Sequence, residues 1–251
     1  MARRLFFVEE IRNGQAEIVG DDALHLTRVL RVEPGQRFEI SDNRNVYLAE
    51  VETAHKQRVI FRTLERLPLT EPPLHLYLCA ALIKFDRFEW MLEKAVELGV
   101  ETIVPLETMR SEKGLERAAA KRIERWKRIL LEASQQSRRG RAPKIEETQT
   151  LKNVIGRTAT TQYVLEEAAG AAPILHSLPE RRAAADTVMV LVGPEGGWAG
   201  EEVDQFRGTN WRAVSLGPQI LRSETAALAA LAILSAAWQA ARAPAIAPRN
   251  Q

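Results

Sequence analysis

Over the first 67 residues, apolar and polar positions alternate in short runs separated by turn residues. Arg4 to Val8, Gln15 to Val19, Arg37 to Ser41, Asn45 to Val51 and Arg58 to Leu64 read as strands, since a period of two turns one face toward a core. Pro34-Gly35 and Asp42-Asn43 mark tight turns. Between the second and third strands Asp21 to Val32 reads as a helix, with Asp21 or Asp22 as its cap and Leu24, Val29 and Leu30 as its apolar positions. Strands at this spacing predict a small β-barrel over residues 1–68. Three prolines between Pro68 and Pro73 then break the pattern and mark a domain boundary.

Beyond the boundary the pattern changes to strands alternating with helices. Leu74 to Ile83, Thr102 to Leu106, Tyr163 to Leu165, Val188 to Val192 and Ala213 to Leu216 are apolar runs of strand length. Phe85 to Leu98 repeats its apolar residues at helical spacing and stops at Gly99. Leu115 to Ser137 reads as one long basic helix, and Ser223 to Ala241 as the last helix. This alternation predicts an α/β domain over residues 73–243, with a parallel sheet and helices on both faces. Residues 244–251, with prolines at Pro244 and Pro248, read as a loose tail.

Composition adds limits. The 251 residues are 45% hydrophobic and 27% charged, with a net charge of +2, as expected of a soluble globular chain. No segment reads as a membrane span, and Glu9 and Glu10 cut short any apolar leader. The single cysteine, Cys79, reads as a buried thiol and suits a reducing, cytoplasmic setting. Charge is unevenly placed: Arg110 to Lys144 holds twelve Lys/Arg against four Glu. Such a run is either a solvated helix face or a surface for a polyanion.

The chemistry concentrates in two turns that each link an apolar run to a helix. The first is Gly193-Pro194-Glu195-Gly196-Gly197-Trp198; the second runs from Leu216-Gly217-Pro218 through Thr225-Ala226. The glycines permit positive φ and close approach to a ligand. Glu201 and Glu202 fall in the first turn of one helix, and Ser223 and Glu224 cap and start the other. Ile220 and Leu221 are either core residues or an apolar wall for a flat ring. Neither turn matches a dinucleotide or P-loop fingerprint. The four histidines (His25, His55, His75, His176) are too scattered for a metal site, and no metal is expected.

These turns resemble those of the SPOUT methyltransferase superfamily and, within it, of the ribosomal RNA small subunit methyltransferase E family. His25-Leu26 with Arg28-Val29-Leu30-Arg31, Lys84 with Glu93-Lys94-Ala95, Glu97-Leu98-Gly99-Val100, and Glu132 through Arg138 extend the likeness over almost the whole chain. Gln219 and Ser223 depart from it, standing where the family pattern has Arg and Thr.

The resemblance implies a PUA-like barrel before a SPOUT domain with a trefoil knot. It implies a homodimer that binds S-adenosyl-L-methionine and methylates N3 of a uridine in 16S ribosomal RNA. It assigns the cofactor to Leu165, Glu166, Val192, Gly193, Pro194, Glu195, Gly196, Gly197, Leu216, Gly217, Ile220, Leu221, Arg222, Thr225 and Ala226. Arg222 would give electrostatic help in catalysis or equally clamp a phosphate, with Glu195 and Glu224 as weaker candidate bases; Glu224 reads first as a helix-terminal carboxylate. RNA, or the small ribosomal subunit, would be met by Arg3, Arg4, Arg28 and Arg31 in the barrel. In the catalytic domain the matching cations are Lys84, Arg87, Arg110, Arg138, Arg139 and Arg141. In Arg138-Arg139-Gly140-Arg141, close like charges favour an anion partner. The residues leave open a SPOUT enzyme acting on transfer RNA and a non-catalytic RNA-binding assembly factor.

Overall fold

The computed structural model describes residues 4–167 and 170–242, which divide into two compact units. Met1–Glu71 and Leu131–Ala142 form the first; Pro72–Leu130 and Pro143–Gln251 form the second. Arg3 and the tail expected over 244–251 lie outside the described residues.

In the first unit, β1 (Leu5–Phe7), β2 (Gln15–Val19), β3 (Arg37–Ser41), β4 (Val46–His55) and β5 (Arg58–Leu67) form one sheet in the order β1-β3-β4-β5-β2. β1 runs parallel to β3, and the other pairs are antiparallel. Register shifts between β4 and β5 at Leu48/Ala49 and Val51/Thr53 bend the strands. α1 (Gly20–Arg28) lays Ala23 and Leu26 on a core that includes Ile18, Ile40, Val59 and Phe61. The helix expected to reach Val32 ends at Arg28. Arg31 takes a φ of +52°, and the Val32 N–H donates back to the Leu26 carbonyl at 3.0 Å, returning Val32 to the core.

A distant segment completes this unit. Ser41 Oγ, fully buried, donates to the Gly140 carbonyl at 2.6 Å, and the Ala142 N–H donates to Asn43 Oδ1 at 2.8 Å. Arg138 donates to Glu39 at 2.5 Å, and Arg141 lies 3.6 Å from Glu71. The charges of this arginine cluster are therefore met within the unit itself, at Arg138 and Arg141, by carboxylates.

The second unit contains β6 (His75–Ala81), α2 (Phe85–Glu97), β7 (Thr102–Glu107), α3 (Leu115–Ala120) and the start of α4 (Ile123–Gln136). Next come β8 (Lys144–Ile145), β9 (Gln149–Thr150), α5 (Leu151–Ile155), β10 (Thr161–Leu165) and β11 (Ala172–Pro173). β12 (Thr187–Val192), α6 (Gly200–Phe206), β13 (Trp211–Ser215) and α7 (Ser223–Arg242) follow. The sheet order is β11-β13-β10-β12-β6-β7-β8, with β9 also on β7, and every pair is parallel.

Both faces of this sheet are covered, so its central strands are rich in apolar residues; all five residues of β10 are buried, Thr161 and Gln162 included. Cys79, Val104 and Leu191 pack with Leu151 and Val154 of α5 and Phe206 of α6. Burial pushes the Cys79 thiol up to about 12, which leaves it an inert core group. α7 packs against α2, β6 and β12. By length and composition alone α7 is apolar enough to cross a membrane, but its apolar residues serve the core: it lays Ala227, Leu231, Leu234 and Trp238 into the interior.

The single helix expected over Leu115 to Ser137 is broken at Lys121 and Arg122, where short i to i−3 bonds to Ala118 and Ala119 end α3. Arg122 lies 4.4 Å above the Phe85 ring and donates to Glu89 at 2.9 Å. Arg125 holds the same carboxylate from its other side at 2.8 Å. Burial opposes the charge on Glu89, but Arg125 and Arg122 keep its carboxyl below the usual range. Trp126 is fully buried against Phe88. Much of the basic face seen in the sequence is thus neutralised locally.

A Cβ at Gly140 would run into the side chains of Leu69 and Val46. Gly140→Val should therefore destabilise the protein by about 1–3 kcal/mol through overpacking, measured as a lower denaturant midpoint.

Candidate active site at the strand ends

β13, β10 and β12 are neighbours in the sheet, and their carboxyl ends enclose a cleft of about 350 Å³. This is where open α/β sheets gather ligands. Leu165, Glu166 and Glu167 leave β10; Val192 through Trp198 leave β12; Val214 through Leu221 leave β13. Ser223 and Ala226, at the start of α7, close one side.

The two turns are joined by one short bond: Ser223 Oγ donates to the Gly193 carbonyl at 2.6 Å. The hydroxyl expected to cap α7 therefore ties the turns together. The β10 end is tied to both: Trp198 Nε1 donates to the Leu165 carbonyl at 3.0 Å, and the Glu166 N–H donates to the Val214 carbonyl at 3.0 Å.

Not all the glycines serve the same need. Gly197 has φ +66° and Gly217 φ +140°, conformations that side chains resist. Gly193 and Gly196 have ordinary φ, unlike the sequence expectation, and are small for packing reasons. A Cβ on Gly193 would meet the Trp198 ring at 3.1 Å, and one on Gly196 would meet the Arg110 stem at 3.3 Å.

The loop after β7 braces the first turn from outside. Glu202 is 2% exposed; its Oε1 accepts from the Met109 N–H at 2.8 Å and its Oε2 from the Ala199 N–H at 2.9 Å. The next residue, Arg110, donates from Nη1 to the Gly196 carbonyl at 2.8 Å and lines the cleft. Expected as an RNA contact, Arg110 stands at the rim of the cleft.

Of the residues assigned to a cofactor, Leu165, Glu166, Val192, Gly193, Pro194, Glu195, Gly196, Gly197, Leu216, Gly217, Ile220, Leu221 and Ala226 line the cleft. Arg222 and Thr225 are exposed and outside its lining. Ile220 is 83% exposed, so it is not a core residue, and it lines the cleft. Glu195 is paired with Arg87 at 3.0 Å. Glu224 is 6% exposed with no partner for Oε2 among the described residues; it sits in the first turn of α7, where the helix dipole favours a carboxylate, and it does not line the cleft. Pro218, Gln219 and Trp198, which sequence named in the two turns without assigning them to the cofactor, also line the cleft, with Glu167, Val203, Val214 and Ser215, which it did not single out as site residues. Trp198 had one signal: it directly follows the glycine turn whose first glycine makes room for it.

The cations expected at RNA divide into two kinds. Arg4, Arg28, Arg31 and Lys84 are exposed. Arg87, Arg110, Arg138 and Arg141 are engaged by protein acceptors, and Arg139 donates its backbone N–H to Ser134. Among the described residues no group of three or more His, Cys, Asp or Glu is gathered as a metal site.

The chain matches the RNA methyltransferase domain over residues 70–235 and the RNA methyltransferase PUA domain over residues 18–64. It is 32% identical to ribosomal RNA small subunit methyltransferase E of Mycobacterium bovis, over 96% of this chain and 95% of that protein. With the same enzyme of Bacillus subtilis the identity is 29%, over 87% and 88%. Among solved structures, a ribosomal RNA small subunit methyltransferase E from Neisseria gonorrhoeae bound to S-adenosyl methionine aligns with TM-score 0.83 at 28% identity, covering 94% of this chain and 98% of that one. A putative methyltransferase from Legionella pneumophila in complex with the same cofactor aligns with TM-score 0.85 at 28% identity and the same coverage.

Removing the Glu202 carboxylate leaves two N–H groups without their acceptor. Glu202→Ala should lower stability by about 2–4 kcal/mol, read by urea denaturation.

Proposed function

Because the chain belongs to the ribosomal RNA small subunit methyltransferase E family, we propose that it methylates ring nitrogen N3 of a specific uridine in 16S ribosomal RNA, with S-adenosyl-L-methionine as donor. The cleft at the ends of β10, β12 and β13 is the observation that carries this reading. Its size falls within the range of small-molecule sites, and its lining suits this donor. Leu165, Val192, Leu216, Ile220 and Leu221 offer apolar walls to a flat base, and the Glu166 and Glu167 carboxylates offer compensation to a cation. The relatives from Neisseria gonorrhoeae and Legionella pneumophila bind the same compound. When bound, the donor supplies a methyl group on positively charged sulfur. The protein's part is to hold the two reactants in line and to exclude water.

RNA would be met first by the exposed cations Arg4, Arg28 and Arg31 of the first unit and Lys84 of the second. Such contacts make affinity fall with salt. We also propose the knotted chain path and a cytoplasmic location. The insertion of β12 between β6 and β10, with β13 beyond β10, supports the first, and a ribosomal RNA substrate supports the second. A homodimer is supported by the outer face of α7, where Ala232, Ala236 and Ala240 are exposed at four-residue spacing.

The direct test is mass-spectrometric mapping of methyluridine in RNA from a deletion strain and its complement. N3-methyluridine restored at one 16S position is expected; label in transfer RNA, or none with RNA binding intact, would refute the reading. Gly196→Trp should abolish S-adenosylmethionine binding by calorimetry while circular dichroism stays unchanged, since even a Cβ there meets the Arg110 stem. Ala232→Glu with Ala236→Glu should halve the mass seen by light scattering; an unchanged mass would remove α7 from the interface.

A further inference from the structure

Among the described residues that line the cleft, Arg110 is the one Lys or Arg; the other charged groups there are Glu166, Glu167 and Glu195. Glu195 already faces Arg87. The field inside is therefore negative at the β10 end and positive at a single point on the rim. Arg222, the cation that the sequence suggested for catalysis, is exposed and outside this lining.

The Arg110 guanidinium is held rather than floating. Its stem lies across Gly196, where a Cβ would sit 3.3 Å from Arg110 Cβ and 3.5 Å from Cδ. Nη1 is occupied by the Gly196 carbonyl at 2.8 Å. The backbone just before it is fixed by the bond from the Met109 N–H to the buried Glu202. This leaves the rest of the planar fork as donors at the mouth of a donor-sized cleft.

A neutral uridine cannot attack from N3, because that nitrogen carries a proton and its lone pair is spread into the two flanking carbonyls. After the proton leaves, the negative charge is shared by N3 and the carbonyl oxygens at positions 2 and 4. A guanidinium fork matches such a flat, two-point anion, and a preplaced cation stabilises the charge as it develops. The carboxylates Glu166 and Glu167 would otherwise repel it.

We propose that Arg110 is a catalytic residue that stabilises the uridine N3 anion; this deepens the proposed function and rests on it. The N3 proton passes to solvent water. The freed N3 electron pair then forms the bond to the methyl carbon, while the sulfur–methyl bond breaks with its pair left on sulfur.

The test compares wild type with Arg110→Ala and Arg110→Lys on a ribosomal RNA fragment. Arg110→Ala should slow methyl transfer by about 100-fold, with Arg110→Lys between the two. Loss of the cation raises the pKa of the bound uridine, so the pH–rate profile of Arg110→Ala should move to higher pH. Replacing the target base by 5-fluorouridine, whose N3 proton is more acidic, should restore much of the rate to Arg110→Ala and little to wild type. Calorimetric affinity for S-adenosylmethionine should stay within about threefold. If cofactor affinity falls as far as the rate, with an unmoved pH profile and no rescue by 5-fluorouridine, Arg110 is only a strut for the Gly196 turn and the proposal fails. A wild-type product methylated away from N3, seen in the mass spectrum before any variant is compared, overturns the underlying reading instead.

Discussion

The cleft depends on one topological constraint: β10 stands between β12 and β13 although it precedes both in the chain. Parallel pairing on both sides brings three carboxyl ends to the same edge. Each strand then releases a turn at that edge, and the turns face one another. β10 is buried along its whole length, and covering Tyr163, Val164 and Leu165 on both faces removes apolar surface from water.

Once the strand ends are adjacent, a few polar bonds define the wall. The Ser223 hydroxyl spans the two turns, Trp198 anchors to β10, and Glu202 and Arg110 brace the outer side. Every one of them ends on a backbone group, so the peptide path of the turn is held directly. The small residues at 193 and 196 follow from this bracing. Each is a glycine because an indole ring or an arginine stem occupies the place of its side chain.

Charge shows the same dependence on neighbours. A count along the chain from Arg110 to Lys144 suggests one basic surface. In the folded units Arg122 and Arg125 share Glu89, Arg138 meets Glu39, and Arg87 meets Glu195. A paired surface arginine attracts an RNA phosphate less than an exposed one does, because its field is already compensated. Arg4, Arg28, Arg31 and Lys84 are exposed, as are Lys113, Lys121 and Arg128 of the basic run, and Arg110 keeps donors at the cleft; these cations are among those open to an anionic partner.

Local pattern was enough for the class of each half. Alternation over Gln15 to Val19 and buried runs such as Val188 to Val192 report strand and environment, since a side chain's period depends only on the backbone that carries it. The two glycine turns, and most of the cleft lining with them, were legible for the same reason: their residues are contiguous. What sequence missed has two sources. The return of Val32 to the core and the break before Ile123 rest on short-range bonds that compete with continued helix, whereas the docking of Leu131–Ala142 in the first unit and the place of Arg110 on Gly196 join residues far apart in the chain. Sequence by itself determined which residues could form a pocket of this kind. The tertiary structure decided which of them meet, because hydrogen bonds and close packing act through space, and spacing along the chain carries no record of them.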